Sequence, residues 1–191
     1  MKKTPLKVGF DLDGVILYNP IRIARPIFSF FRHTILNKPK KKFYIPKNNL
    51  GKVIWFLIHK SSFMPANGYK RLKKLVKNKK IQAYLITGRY SALKSDFDAW
   101  KNKLDTKSIF KMSLYNKNNL QPHEFKNQMI KKYKLDYFIE DNFDIINLLS
   151  KNNNLKILWI TNLFDRFINY EYKFTSLNKT LDYLEKELKF R

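Results

Sequence analysis

Two kinds of hydrophobic pattern alternate along the chain, short unbroken apolar runs and longer segments with helical spacing. The short runs are typical of buried strands. They are Lys7–Phe10, Gln82–Ile86, Ser108–Leu114, Tyr137–Ile139 and Lys156–Ile160. Apolar residues three or four positions apart predict helices over Tyr69–Lys80, Ser91–Leu104, Glu124–Tyr133, Asp144–Leu149 and Leu177–Leu188. Strands that alternate with helices indicate an α/β fold, a Rossmann-like parallel sheet with helices on both faces.

The first crossover of this predicted sheet is unusually long. About 70 residues separate the first strand from Gln82–Ile86, which is too many for one crossover helix. They include aromatic clusters and the stretch NKPKKKFYIPKNN. We interpret residues 20–67 as a small, mostly helical cap inserted after the first strand, with 1–19 and 68–191 forming the α/β core. Because the insertion begins at the carboxyl edge of the sheet, where ligands bind, it could act as a lid.

Composition narrows the class of protein. The 191 residues, 44% of them hydrophobic, suit one domain with a buried core and a modest insertion. The absence of cysteine excludes disulfides, thiolate metal sites and cysteine nucleophiles, and it fits the reducing cytoplasm. No apolar run reaches 18 residues, so we expect no membrane span. Asp11 interrupts the amino-terminal apolar run too early for a signal peptide.

The formal net charge of +24 has two interpretations. One is a polyanion partner, either nucleic acid or an anionic membrane surface. The other is the coding bias of an AT-rich genome, since Lys, Asn, Ile, Tyr and Phe are all abundant. The even spread of positive charge along the chain favours the second slightly. In either case the charge draws anionic substrates toward a cleft in a salt-dependent way.

The most specific motif is VGFDLDGVI, residues 8–16. An apolar strand ends in Asp11 and Asp13, whose i, i+2 spacing points both carboxylates to the same side of a strand. Gly14 then lets the chain turn sharply. Two carboxylates held this close favour a bound divalent cation, or one proton at a raised pKa. The alternative is an acidic turn without function, because DxDG also occurs by chance.

Two more predicted strands end in polar residues. AYLITGR, residues 83–89, ends in Thr87 and Gly88, whose hydroxyl and backbone N–H groups suit a phosphate oxygen. YFIEDN, residues 137–142, ends in Glu140 and Asp141. Because the carboxyl ends of parallel strands meet at one edge, we expect Asp11, Thr87 and Asp141 to lie close together.

In this order the motifs resemble those of the haloacid dehalogenase (HAD) superfamily of phosphohydrolases, over residues 6 to about 160. The matching positions are, from the first motif to the fourth, Asp11–Gly14, Thr87, Lys126 and Glu140–Asp141. The insertion is similar to a C1-type cap, and IEDN with ITNLFDRF resembles the 5′-nucleotidase-like branch. Two positions depart from the pattern. Glu140 stands where many relatives have Asp, and Asp165–Arg166 stands where that branch often has Asn.

The resemblance implies a Mg²⁺-dependent phosphatase for a small phosphorylated substrate, with a nucleoside monophosphate the first choice. Asp11 would attack phosphorus and form an aspartyl-phosphate. Asp13 would protonate the leaving oxygen and then deprotonate the hydrolytic water. Asp11, the backbone carbonyl of Asp13 and Asp141 would bind Mg²⁺, a hard cation that prefers oxygen ligands. The oligomeric state stays open.

The remaining roles that the resemblance implies concern the phosphate and the water on the metal. Thr87, Gly88 and Lys126 would hold the non-bridging oxygens. Lys126 is preferred because HEFK precedes the helix where the family's lysine lies. It competes with the later lysines Lys131, Lys132 and Lys134. Glu140 could order a metal-bound water, and Asp144 is a second candidate that equally fits a first-turn helix acid.

Other polar residues favour structural interpretations. Arg89 could reach a phosphate, but an exposed arginine at a helix start fits the pattern better. The three histidines lack the spacing of metal ligands, so we interpret them as structural or surface residues: His33, His59 and His123.

Two other functions stay open on the sequence. The +24 charge and the segment KPKKKFYIPK favour an enzyme that acts on polynucleotide phosphate ends. The second alternative is a non-catalytic module that binds a polyanion and keeps an old hydrolase scaffold. The presence of Asp11, Asp13 and Lys126 together argues against this module, because binding alone does not need that set.

Overall fold

A computed structural model describes residues 4–20, 43, 45–46, 48–151 and 155–190. The elements follow the predicted alternation. In chain order they are β1 (Leu6–Phe10), β2 (Leu17–Tyr18), α1 (Asn49–Lys60), β3 (Met64–Pro65), α2 (Tyr69–Lys77), β4 (Ile81–Tyr90), α3 (Lys94–Lys103), α4 (Thr106–Ile109), β5 (Phe110–Asn116), α5 (Pro122–Tyr133), β6 (Tyr137–Glu140), α6 (Phe143–Ser150), β7 (Lys156–Ile160), β8 (Lys173–Phe174) and α7 (Leu177–Lys189).

Six strands form one parallel sheet in the order β5-β4-β1-β6-β7-β8. The first strand of the chain lies near the middle, with β4 on one side and β6 on the other. The parallel direction brings the carboxyl ends of β1, β4 and β6 to a single edge. The predicted α/β fold with a Rossmann-like parallel sheet is confirmed.

Strict alternation of side chains sends the strands' apolar residues to two separate cores. On one face Val8 and Phe10 pack with the helices α2, α3 and α7. On the other face Phe138 and Trp159 pack with α5 and α6. Helices therefore cover both faces, which explains why the strands read as nearly continuous apolar runs.

Gly9 allows the centre of the sheet to pack closely. A Cβ atom at this position would lie 2.5 Å from Phe138 Cδ2 and 2.7 Å from Leu135 Cδ1, both shorter than a normal contact. Phe138 is fully buried, so it has little room to move away. Glycine is therefore required at position 9 because Phe138, on the neighbouring strand β6, packs against it. This close packing of β1 on β6 lies two residues before Asp11.

The predicted insertion at 20–67 is described in part. Its helix α1 begins after Asn48, whose side chain accepts a hydrogen bond from the N–H of Gly51. A short antiparallel pair, β2 with β3, joins the two ends of the insertion to the core. Residues 21–42, 44 and 47 lie outside the described residues, and the proposed domain boundaries stay a prediction.

The sequence interpretation was wrong in two details of the fold. It ended the apolar run of the second strand at Ile86 and the strand itself in Thr87 and Gly88, whereas β4 continues to Tyr90 with an irregular register opposite β5. It also missed β2, β3 and β8, which have two residues each and so carry no detectable periodicity. Among the helices of the described residues, none is long and apolar enough to cross a bilayer.

The substitution Gly9→Ala should lower the free energy of unfolding by about 1–3 kcal/mol, because the new methyl group overpacks the core against Phe138. Urea unfolding measures the change. The same substitution in a Phe138→Leu background should cost less, since the shorter side chain leaves room for the methyl group. Equal costs in both backgrounds would contradict the close approach described here.

Candidate active site

Three buried carboxylates meet at the carboxyl edge of the sheet. Asp11 follows the last residue of β1, and the backbone N–H of Asp11 donates to the carbonyl of Ile139 in β6 at 3.0 Å. This register places Asp11 beside Glu140, the last residue of that neighbouring strand, and Asp141, which follows it. Carboxylate oxygens of the three acids lie within 4.8 Å of one another. The pairing of β1 with β6 thus assembles acids that are about 130 residues apart in the chain.

Lys126 from α5 reaches into this group. Its Nζ lies 2.9 Å from Asp11 Oδ2 and donates to Glu140 Oε2 at 2.6 Å. The side chain is almost completely buried, as are its two partners. Of the competing lysines, Lys131, Lys132 and Lys134 are exposed. The lysine preferred from the HEFK motif is therefore the one that contacts Asp11.

Burial and mutual repulsion dominate the electrostatics of this group. Burial raises the pKa of Asp11, and the charges of Asp141 and Asp13 add to the rise while Lys126 opposes it. Burial also raises the pKa of Glu140 to about 8, with Lys126 again opposing. The ammonium of Lys126 has a raised pKa because Asp11 and Glu140 outweigh the effect of its burial. Three carboxylates share one ammonium, so their mutual repulsion favours either a bound proton or an additional cation in the group.

The backbone fixes the two acids of β6 in different ways. Glu140 Oε1 accepts from the N–H groups of Asp141 and Asn142 at 3.2 and 3.1 Å, so both oxygens of Glu140 are engaged inside the protein. The carbonyl of Asp141 accepts from the indole N–H of Trp159 at 3.3 Å. Gly14 has a φ of 81°, and a Cβ atom there would lie 2.6 Å from Asp141 Cγ. The turn after Asp13 therefore packs directly on the Asp141 side chain.

Asp13 is held by a second ionic group. Arg89 binds it with two hydrogen bonds, from Nε to Oδ2 at 2.8 Å and from NH2 to Oδ1 at 2.7 Å. Ser62 donates to Oδ1 at 2.6 Å, and His59 Nδ1 lies 3.2 Å from Oδ2. Arg89 also forms an ion pair with the buried Asp96. Although burial alone would raise it, Arg89 and His59 hold the pKa of Asp13 well below its usual range.

This second group corrects the interpretation of Arg89 made from the sequence, and it shows what His59 contacts. Arg89 is fully buried and paired, not an exposed arginine at a helix start. His59, interpreted as structural or surface, lies at the end of α1 in the predicted cap and contacts Asp13. The position of Arg89 two residues after Thr87 was the only available signal, because strand periodicity puts both residues on one face.

Thr87 and Gly88 lie on β4 beside β1. Thr87 is buried, and its Oγ1 accepts from the N–H of Arg89 at 3.3 Å. A Cβ atom at Gly88 would lie 3.0 Å from Pro122 Cβ, so this glycine lets the start of α5 approach β4. Asp144 lies in the first turn of α6, where its N–H donates to the capping side chain of Asn142. The functional roles suggested for these residues stay predictions.

The donor set suits a hard divalent cation. Asp11 and Asp141 supply carboxylate oxygens from two adjacent strands, and Glu140 lies between them and Lys126. Carboxylate oxygens are preferred ligands of Mg²⁺, which usually binds through one or two of them and keeps several waters. The side chain of Asp13 is turned toward Arg89, and the metal contact of its backbone carbonyl, which the resemblance implied, stays a prediction.

No protein-family model matches the sequence, and no curated protein matches it. Solved structures do. YfnB from Bacillus subtilis, described as a HAD-hydrolase and bound to magnesium, has a TM-score of 0.61 and 14% identity, over 96% of this chain and all 100% of its own. CbbY from Rhodobacter sphaeroides in complex with phosphate has a TM-score of 0.57 and 11% identity, over 91% of this chain and 95% of its own. A HAD-superfamily hydrolase from Ehrlichia chaffeensis has a TM-score of 0.53 and 12% identity, over 97% of this chain and 98% of its own.

The chain has the fold of the HAD superfamily hydrolases. Each of these likenesses extends over nearly the whole of both chains, so the resemblance suggested by the motifs is confirmed at the level of the fold. The identities of 11–14% carry no information about substrate.

Magnesium should stabilise the folded chain, because only folding brings Asp11 and Asp141 together. We expect Mg²⁺ at 100 times its dissociation constant to add about 2.7 kcal/mol, seen as a higher thermal midpoint. Asp141→Asn should remove most of this gain. The control is Asp98→Asn, the same chemical change at an acid paired with Lys94 on the surface, which should keep it. A wild-type thermal midpoint that does not change when Mg²⁺ is added would show that the acids do not form a magnesium site.

Removing the Arg89 charge should destabilise the protein strongly. Arg89→Met leaves Asp13 and Asp96 buried without their partner, so we expect a loss of about 3–5 kcal/mol in urea unfolding. Adding Asp96→Asn to Arg89→Met should recover part of the lost stability, since one of the two buried carboxylates that Arg89 neutralised is then uncharged. Lys94→Met, which removes an exposed lysine from a surface pair, should change stability by about 0.5 kcal/mol or less. Similar losses for both single variants would be inconsistent with a structural clamp on Asp13.

Proposed function

We propose that the protein is a Mg²⁺-dependent phosphatase that hydrolyses a phosphate monoester through an aspartyl-phosphate on Asp11. The single observation that carries this proposal is the contact of Asp11 with Lys126 beside Asp141, all buried at the carboxyl edge of the sheet. An isolated lysine–aspartate pair would need no second and third carboxylate, yet Glu140 and Asp141 lie beside it. The excess of acids is explained by a cation that is part of the working site.

Asp11 is suited to act as the nucleophile because its position is constrained on both oxygens. Oδ1 accepts from the N–H of Leu12 at 2.8 Å, and Oδ2 faces Lys126. One carboxylate oxygen forms a bond to phosphorus while the bond from phosphorus to the leaving oxygen breaks, so the phosphoryl group moves to Asp11. Preorganisation of this kind removes the need to orient the side chain during the reaction.

Positive charge is needed because a carboxylate nucleophile repels a phosphate dianion. At ~4 Å and an effective dielectric constant near 20, two like charges cost about 4 kcal/mol, or about a thousandfold in rate. A bound Mg²⁺ would offset this repulsion and the negative charge that develops on the phosphoryl oxygens. Lys126 supplies a further fixed positive charge, and Thr87 and the N–H groups near Gly88 are candidates to donate to the same oxygens.

Asp13 is suited to the second half of the reaction. Arg89 keeps it ionised, so it can accept the proton of the water that attacks the aspartyl-phosphate. The two hydrogen bonds from Arg89 lower the proton affinity of Asp13. To donate a proton to the leaving oxygen in the first half of the reaction, Asp13 must therefore move away from Arg89. His59 and Ser62, from the inserted segment, contact Asp13, so we expect a movement of that segment to change the position of Asp13.

A small cavity lies on the Gly14 side of the candidate site. A cavity of about 320 Å³ lies beside Gly14, with Thr161, Asn162, Thr175 and Ser176 among its polar lining. This volume is at the lower end of the range for small-molecule sites, and the lining side chains are uncharged. Together with the resemblance to the 5′-nucleotidase-like branch and its C1-type cap, these features favour a nucleoside monophosphate as the first candidate.

Wild-type protein should hydrolyse an aryl phosphate in the presence of Mg²⁺, and Asp11→Asn should reduce the rate at least about a thousandfold. A chelator should abolish turnover, and added Mg²⁺ should restore it. Circular dichroism verifies that the variant is folded, and Asp98→Asn should keep wild-type turnover. Substantial residual turnover by Asp11→Asn would refute the nucleophile assignment.

Substrate class is tested by a panel of phosphate monoesters at two salt concentrations. We expect mononucleotides to be preferred to 5′- or 3′-phosphorylated oligonucleotides. Preference for the oligonucleotides, with a steep loss of affinity in salt, would instead support an enzyme of polynucleotide ends.

A further inference from the structure

Tyr90, the last residue of β4, has a buried hydroxyl group that no described residue satisfies. The side chain is 3% exposed. Across the parts of the chain that the structure describes, its oxygen has no hydrogen-bond partner. A buried hydroxyl without a partner loses its bonds to water and gains none in return, so in natural proteins such groups are rare and often serve a function.

The position of Tyr90 places this hydroxyl near the phosphate-binding edge. It lies three residues after Thr87, on the strand that runs beside β1. Gly88, between them, lets α5 approach so closely that a Cβ there would be 3.8 Å from Lys126 Cε. Burial raises the pKa of Tyr90, and the charge of Lys126 opposes the rise, so the hydroxyl lies within electrostatic reach of that ammonium.

The polar side chains nearest to Tyr90 are already engaged elsewhere. Asn116 pairs with Tyr90 across the sheet, but its amide donates to the carbonyl of Leu120 at 2.6 Å and accepts from the N–H of Leu120 at 3.0 Å. Lys126 has no acceptor to offer and binds Asp11 and Glu140. Since no described residue satisfies the hydroxyl, it is available to an acceptor that enters the site.

We propose that the Tyr90 hydroxyl donates a hydrogen bond to a non-bridging oxygen of the substrate's phosphoryl group, on the side of the site formed by β4 and α5. The inference rests on the proposed function, because the ligand is the phosphoryl group of that reaction. A phosphoryl group presents oxygens that only accept, and it arrives where Lys126 already concentrates positive charge. Tyr90 is then a substrate-binding residue whose hydroxyl is unsatisfied until the ligand enters.

Tyr90→Phe removes the oxygen and little else. We expect the inhibition constants of inorganic phosphate and orthovanadate, measured with Mg²⁺ against aryl phosphate turnover, to rise about tenfold, the value expected for one lost hydrogen bond to a charged group. The value of kcat/KM should fall by a similar factor. The urea midpoint should be unchanged or higher, because the variant no longer buries an unsatisfied hydroxyl.

Tyr84→Phe is the matched control. Tyr84 is also buried on β4, but its hydroxyl donates to Gln82 at 2.8 Å. Its removal should leave the inhibition constants and kcat/KM unchanged. Calorimetric titration of inorganic phosphate into Mg²⁺-loaded wild type and Tyr90→Phe gives the same comparison without turnover.

The outcomes separate the inference from the proposed function. An active wild type with unchanged phosphate and vanadate affinity in Tyr90→Phe would overturn the role of Tyr90 alone. A lower urea midpoint together with unchanged affinity would assign the hydroxyl to the fold. A wild type that neither turns over phosphate esters nor binds phosphate with Mg²⁺ would overturn both proposals.

Discussion

The contact between Lys126 and Asp11 is the interaction on which the candidate site depends. It places one buried ammonium among three buried carboxylates, at the point where β1 and β6 end. Buried charges are tolerated only when they are paired and hydrogen-bonded, and here one ammonium is shared between Asp11 and Glu140 with Asp141 close by. A cluster of buried acids of this kind favours a divalent cation, and the positive charge of that cation together with Lys126 would make an anionic phosphoryl group a compatible ligand.

A second ionic group extends this arrangement to the inserted segment. Arg89 joins Asp13 of the first motif to Asp96 at the start of α3, and His59 at the end of α1 contacts the same carboxylate. Asp13 is therefore paired with Arg89 and with His59 of the insertion, whereas Asp11, two residues earlier, is paired with Lys126. One strand end thus supplies two carboxylates with opposite pKa shifts, an arrangement that suits groups with different chemical roles.

Much of this organisation was predictable because local rules govern it. Alternation of apolar runs with helical spacing predicted the parallel sheet, and the HEFK segment singled out Lys126, which the structure places against Asp11. The ends of β4 and the two-residue strands were not predictable, since their lengths depend on hydrogen bonds to other strands. The buried state of Arg89 also escaped prediction, because its partners Asp13 and Asp96 are contributed by different elements.

The sequence by itself determined which groups are available and on which strand ends they lie. Short-range periodicity specifies strands and helices, and the parallel topology then brings Asp11, Thr87 and Asp141 to one edge. Only the tertiary structure decided how the charges divide, Lys126 with Asp11 and Glu140, and Arg89 with Asp13. It also buried the Tyr90 hydroxyl where no described residue bonds to it. Pairing of buried charges depends on distances of a few ångströms between side chains from separate elements, and such distances are set by packing and not by spacing along the chain.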